Sequence, residues 1–155
     1  MGVRMRVVES LSQLKDLIGQ EVSVSNWVEI TQERVNQFAE ATGDLQWIHT
    51  DVERSRKESP FGGTVAHGFL TLSLLPMLMA DAVSMPDVKM GVNYGLNKVR
   101  FPAPVPVGSR LRARMALQAV EDIPGGAQMT WVVTIEREGS DKPVCVAESI
   151  SRRYS

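Results

Sequence analysis

The chain is poor in the residues that carry metal, redox and nucleophilic chemistry: its 155 residues include one cysteine, Cys145, and two histidines, His49 and His67. A lone cysteine excludes an internal disulfide, so a reducing compartment is expected. Neither sign of charge is in excess, with 17 basic and 18 acidic residues and a net charge of −1. Such a balance does not attract a polyanion, and nucleic acid and anionic membrane are not expected partners. A leader pattern is also missing: Met1 to Val8 carry Arg4 and Arg6 but no long apolar run. One apolar stretch, Val65 to Val83, is long enough to span a bilayer. It contains His67, Thr71, Ser73, Pro76 and Asp81, which argues for a buried helix and against a membrane span. The expected location is the cytoplasm.

With 43% hydrophobic and 23% charged residues, the chain has the material for one packed core, and residues 1–155 are expected to form a single domain. Ser10-Leu-Ser-Gln13 has capping-box spacing and opens a short N-terminal helix over about residues 10–19. Val22, Val24, Asn26, Val28 and Ile30 alternate with mostly polar neighbours, as a half-buried strand does. Thr31 caps a helix carrying Val35, Phe38 and Ala39 on one face, and Gly43 ends it. Residues 44–63 read as irregular, with one helical turn around Val52 to Lys57. The next segment is apolar nearly all round, from Phe69, Leu70 and Leu72 to Leu78 and Met79. A helix of that kind must be covered on most sides, and Pro76 should kink it or begin a new turn. The remainder reads mainly as strands, one or two over 89–101 and one each over 110–121, 128–138 and 144–154, with an extended linker over 102–108. Meandering strands and one enveloped helix give an α+β architecture, a curved antiparallel sheet wrapped around a long central helix.

Both histidines lie in the irregular middle of the chain. Thr42-Gly-Asp-Leu-Gln-Trp-Ile-His-Thr-Asp51 carries Asp44 and His49, and Ala66-His67-Gly68 follows where the apolar helix begins. A carboxylate and an imidazole on one water can take a proton from it and return a proton elsewhere. Free amides at the start of a helix can meet an oxygen that gains negative charge. Gly68, with no side chain, allows a close approach to the backbone.

These residues resemble the MaoC-like dehydratases, which include (R)-specific enoyl-CoA hydratases and 3-hydroxyacyl-thioester dehydratases. The resemblance rests on Thr42-Gly43-Asp44, Ile48-His49-Thr50-Asp51, Phe61-Gly-Gly-Thr-Val-Ala-His-Gly68 and Val99-Arg-Phe-Pro-Ala-Pro-Val-Pro-Val-Gly108. It implies a hot-dog fold, a homodimer whose sheets join, and a substrate tunnel beside the dimer interface. It also implies Asp44 and His49 as the catalytic pair and the Gly68 N–H as donor to a thioester carbonyl. The implied reaction is hydration of trans-2-enoyl thioesters and the reverse dehydration of (R)-3-hydroxyacyl thioesters. The thioester is carried on coenzyme A or an acyl carrier protein, and no cofactor beyond the substrate's own coenzyme A is required. Where the family often has Asn-Pro, this chain has Gln46-Trp47. Trp47, Phe61 and His67 are therefore placed on the substrate pocket, which puts chain-length preference in question. Which of Asp44 and His49 takes the water proton stays open.

Plainer readings compete. Asp44 follows a helix-ending glycine, a common turn position, and His67 is as well suited to supporting the pocket as to moving a proton. Asp44, His49, Asp51 and His67 are metal-ligand types, but their spacing matches no tight site and no metal is expected. Cys145 reads as an inert buried thiol, and Met77, Met79, Met85 and Met90 as adaptable filling. Arg54, Arg56 and Lys57 read as a solvated segment before a phosphate contact. The rival functions are an acyl-CoA thioesterase and a non-catalytic acyl-thioester-binding subunit.

Overall fold

The computed structural model describes residues 5–155; Met1 to Arg4, and with them the Arg4 weighed above, lie outside the described residues. The chain opens with β1 (Arg6–Val7) and α1 (Leu11–Asp16). Ser10 caps α1 by accepting from the Gln13 amide, while the Gln13 side chain accepts from the amide of Glu9 and not of Ser10. The segment expected as one strand divides into β2 (Glu21–Val24) and β3 (Val28–Glu29). Between them Asn26 leaves the ladder and bonds the Asp81 carboxylate through both its main-chain and side-chain nitrogens, at 2.7 and 3.0 Å.

α2 (Gln32–Thr42) starts at Thr31, whose hydroxyl accepts from the Arg34 amide, and stops at Gly43 in the left-handed region at φ 80°. The middle segment is more regular than expected. It forms α3 (Trp47–Thr50) and α4 (Val52–Glu58), the second capped by the Asp51 carboxylate. Four residues are too few to show a helical period, which is why α3 escapes a reading by pattern. α5 (Gly68–Ser73) and α6 (Leu75–Ala82) are the expected apolar helix in two pieces, broken at Leu74 with Pro76 in the first turn of the second. β4 (Val83–Ser84) then pairs in parallel with β1.

The last strands are β5 (Met90–Arg100), β6 (Arg110–Ile123), β7 (Gly126–Arg137) and β8 (Cys145–Tyr154). They build an antiparallel sheet in the order β2-β6-β7-β8-β5, with β3 also on β6. Burial alternates along β6, β7 and the first part of β8, so Leu111, Ala113, Met115, Trp131, Val133 and Ile135 face the core. Leu70, Leu74, Leu75 and Leu78 of the broken helix join the same core. The covering is incomplete on one side: Phe69 is 68% exposed, Met77 is 40% exposed, and nearly every residue of β5 is exposed.

The expected linker is bound at its far end. The Val107 amide donates to the Thr64 carbonyl and the Ala66 amide to the Val105 carbonyl, so residues 64–66 form a strap laced to residues 105–107. On the outer face of the sheet, Glu136 accepts from Arg112 and Arg114. Burial acts to raise the Glu136 pKa, but the hydrogen bonds and charges of the two arginines outweigh it and hold the carboxyl below its ordinary value. A carboxylate shifted down contributes stability above its unfolded pKa and loses it as pH falls through the folded one. Glu136→Gln should therefore cost about 1 kcal/mol at neutral pH. The deficit should close as pH drops below about 4.3, the ordinary glutamate value, and urea unfolding at neutral and acid pH checks this.

Candidate active site

The site is assembled from the end of α2, from α3, from the strap and from the start of α5. Gly43 turns the chain out of α2 and delivers Asp44, which is half-buried. His49 sits in α3 and is 7% exposed; His67 immediately precedes α5 and is 3% exposed. The two imidazoles stack, with centroids 3.8 Å apart and planes inclined by 24°. Phe38 packs against His67 at 4.9 Å.

The partners of the rings fix their protons. His49 Nδ1 is 2.7 Å from the Val65 carbonyl oxygen. A carbonyl only accepts, so Nδ1 carries a hydrogen, and in the neutral ring Nε2 is left with a lone pair. His67 Nε2 lies 3.0 Å from the main-chain oxygen of Asp44 and by the same reasoning donates to it. One histidine thus ties α3 to the strap, and the other ties the Asp44 loop to the start of α5. A carboxylate oxygen of Asp44 and ring nitrogens of both histidines come within 4.8 Å of one another. That separation suits two acceptors sharing one water.

The same three donors are types that bind zinc or iron. The stack argues against that use. A centre lying in the plane of one stacked ring lies well out of the plane of the other, so the two rings do not aim their lone pairs at one centre.

Gly68 begins α5, and among the described residues its N–H has no hydrogen-bond partner. A Cβ on Gly68 would lie 3.1 Å from the Phe101 ring. The neighbour that needs the missing side chain is thus an aromatic ring of this same chain, in addition to any substrate. Gly68, Phe61 and Phe101 line a cavity of about 310 Å³, with Thr71 further into the helix. Trp47 heads α3 with its ring under the Arg54 guanidinium, 4.2 Å from the ring centroid. Arg54 and Arg56 are paired with Glu58 and Glu53 along α4, which suits a solvated segment.

Two supports have no motif to announce them. Gln32 donates to the His49 carbonyl at 2.7 Å and accepts from the Thr64 hydroxyl at 2.7 Å, joining α2, α3 and the strap. In the sequence it is simply the residue after a helix cap. Cys145 is fully buried, and desolvation pushes its thiol up to about 11, away from the thiolate that a nucleophile needs.

A family profile described as "MaoC like domain" matches residues 13–138. The chain belongs to the MaoC-like family. It is 58% identical over 149 residues to 3-hydroxyacyl-thioester dehydratase Z of Mycobacterium tuberculosis (strain ATCC 25618 / H37Rv), covering 96% of this chain and 98% of that one. It is 45% identical over 148 residues to nodulation protein N of Rhizobium leguminosarum bv. viciae, covering 92% and 89%. The unliganded (R)-hydratase PhaJ1 of Pseudomonas aeruginosa superimposes with a TM-score of 0.71 at 21% identity, covering 89% of this chain and 82% of that one. At that identity the likeness carries the fold, which is the hot-dog arrangement expected of the MaoC-like family.

Replacing His67 by leucine leaves the Asp44 carbonyl without its donor and removes the stacked ring. His67→Leu is expected to lower stability by about 1–3 kcal/mol, the scale for orphaning a buried acceptor; the midpoint of urea unfolding reads it.

Proposed function

We propose that this protein is a hydro-lyase that adds water to trans-2-enoyl thioesters and removes it from (R)-3-hydroxyacyl thioesters. The observation that carries the reading is the gathering of the Asp44 carboxylate and the His49 imidazole within one water's span, with the unbonded amide of Gly68 next in sequence to His67, which stacks on His49. A water donating one hydrogen to Asp44 and one to His49 Nε2 has a lone pair left for the β-carbon. As the C–O bond forms, one of those hydrogens passes to its acceptor. A proton returned from the pair to the α-carbon completes the addition, so water is consumed and the protein ends unchanged. The thioester oxygen gains charge on the way, and the Gly68 N–H is its donor.

The 58% identity to a protein named 3-hydroxyacyl-thioester dehydratase Z supports the substrate class, with coenzyme A or a carrier protein as the thiol. Trp47, Phe61 and His67 shape the pocket in this reading. No cofactor takes part. No helix of the described residues is long and apolar enough to cross a membrane, and the proposed location is the cytoplasm.

The working unit in this proposal is a homodimer joined through β5. This strand is an edge of the sheet and exposes Met90, Val92, Tyr94 and Leu96. A long apolar edge left bare invites pairing with another chain. Sedimentation at micromolar concentration should give a dimer, and Leu96→Lys should shift it toward monomer; a native monomer would remove this part of the proposal.

Purified protein should bleach the enoyl absorbance of crotonyl-CoA without releasing free thiol. Asp44→Asn and His49→Ala should each lower turnover by about two to four powers of ten. Full activity in both variants would sink the mechanism, and thiol release in place of hydration would make the protein a thioesterase.

A further inference from the structure

Thr71 is a buried hydroxyl with nothing to bond. It is 1% exposed, lines the same 310 Å³ cavity as Gly68, and its Oγ1 has no hydrogen-bond partner. A helical threonine or serine ordinarily disposes of its hydroxyl by donating to the carbonyl four residues back. This chain does so elsewhere: Thr42 donates to Phe38, Thr50 to Gln46 and Ser73 to Phe69, at 2.7, 3.2 and 2.7 Å. For Thr71 the corresponding acceptor is the His67 carbonyl, which instead takes the amides of Leu70 and Thr71. Native interiors rarely leave a hydroxyl unpaired, because burying one without a partner costs about 1–3 kcal/mol. An orphan that borders a cavity is readily explained by a group that enters the cavity.

Geometry says which group. Thr71 lies three residues after Gly68 and so shares its face of α5. Helical side chains lean toward the preceding turn, so the hydroxyl reaches back over the turn that holds the Gly68 amide. A carbonyl or enolate oxygen has lone pairs for two donors. We propose that the Thr71 hydroxyl is a second donor to the thioester oxygen of the substrate, alongside the Gly68 N–H. This rests on the hydro-lyase reading given above. It makes Thr71 a catalytic residue that strengthens its bond as the oxygen gains charge, and its loss should therefore fall on kcat more than on KM.

The test compares native protein, Thr71→Val and Thr71→Ser in crotonyl-CoA hydration, with calorimetric binding of the unreactive butyryl-CoA. Valine keeps the shape and removes the donor; serine keeps the donor and removes a methyl. Thr71→Val should lose about 10- to 100-fold in kcat, toward the lower end of the scale for one oxyanion donor. Thr71→Ser should stay within about threefold of native, small beside that donor scale. Near-native turnover in Thr71→Val overturns the proposal, and so does equal damage in both variants, which would mean a packing role. Native protein that binds butyryl-CoA but does not hydrate crotonyl-CoA overturns the hydro-lyase reading alone. Thr71 is then judged on affinity, where weaker binding by Thr71→Val supports it and unchanged binding overturns it. Native protein that neither binds nor hydrates overturns both.

Discussion

The hydrogen bond from His49 Nδ1 to the Val65 carbonyl is the constraint on which the site depends. As a neutral buried bond it is worth only about 1 kcal/mol in net stability, and its consequences are chemical. It fixes the imidazole in one tautomer and leaves Nε2 as an acceptor. It also belongs to a lacing that runs both ways. The Val65 amide donates back to the Ile48 carbonyl at 3.0 Å, and the flanking residues bond to Val105 and Val107 on the other side. The strap is thus fixed between α3 and the linker, and the next residues along it are His67 and Gly68. His49 and Gly68, 19 positions apart in sequence, are set in register by one short segment whose every residue is hydrogen bonded.

That segment explains what a reading of the sequence captures and what it does not. Alternation over residues 110–121 and 128–138 identifies β6 and β7 because one face is buried and the other is not. Thr31 and Gly43 mark the ends of α2 because capping and the left-handed turn are local chemistry. Asp44, His49 and Gly68 stand out as motif residues, and the fold brings the first two together. The stack of His49 on His67 and the bridge through Gln32 leave no local trace, since they are contacts between elements. The brief helix α3 and the division of β2 from β3 are set by hydrogen bonds to distant partners, Asp81 among them. Periodicity reports burial, and these features are decided by polar pairing.

The apolar helix serves two purposes that pull against each other. Leu70, Leu74 and Leu78 fill the core beneath the sheet, whereas Gly68 and Thr71 border a cavity. The break at Leu74 and Pro76 lets the two pieces meet different surroundings. Gly68 shows how tightly the site is built: the Phe101 ring already occupies the space above its α-carbon, so even alanine would force that ring aside by a few tenths of an ångström. A glycine here opens the amide to a ligand and also admits the wall of the cavity.

The distribution of charge points the same way as the geometry. Six of the described arginines are neutralised where they stand: Arg112 and Arg114 by Glu136, Arg54 by Glu58, Arg56 by Glu53, Arg110 by Glu138 and Arg153 by Asp87. Asp44 is in no ion pair among the described residues. A guanidinium set against it would occupy both oxygens in the bidentate manner typical of arginine, and would leave no acceptor for water. Here the neighbours of the carboxylate are the Gln46 amide at a long 3.5 Å and two imidazoles that each donate one hydrogen to a carbonyl. The carboxylate keeps its capacity as an acceptor, His49 Nε2 keeps its own, and Gly68 and Thr71, which line the cavity, hold an amide and a hydroxyl without partners. In the proposed reaction the acceptors face the water and the donors face the thioester, the polarity that moving a proton between a water and a carbon next to a thioester requires.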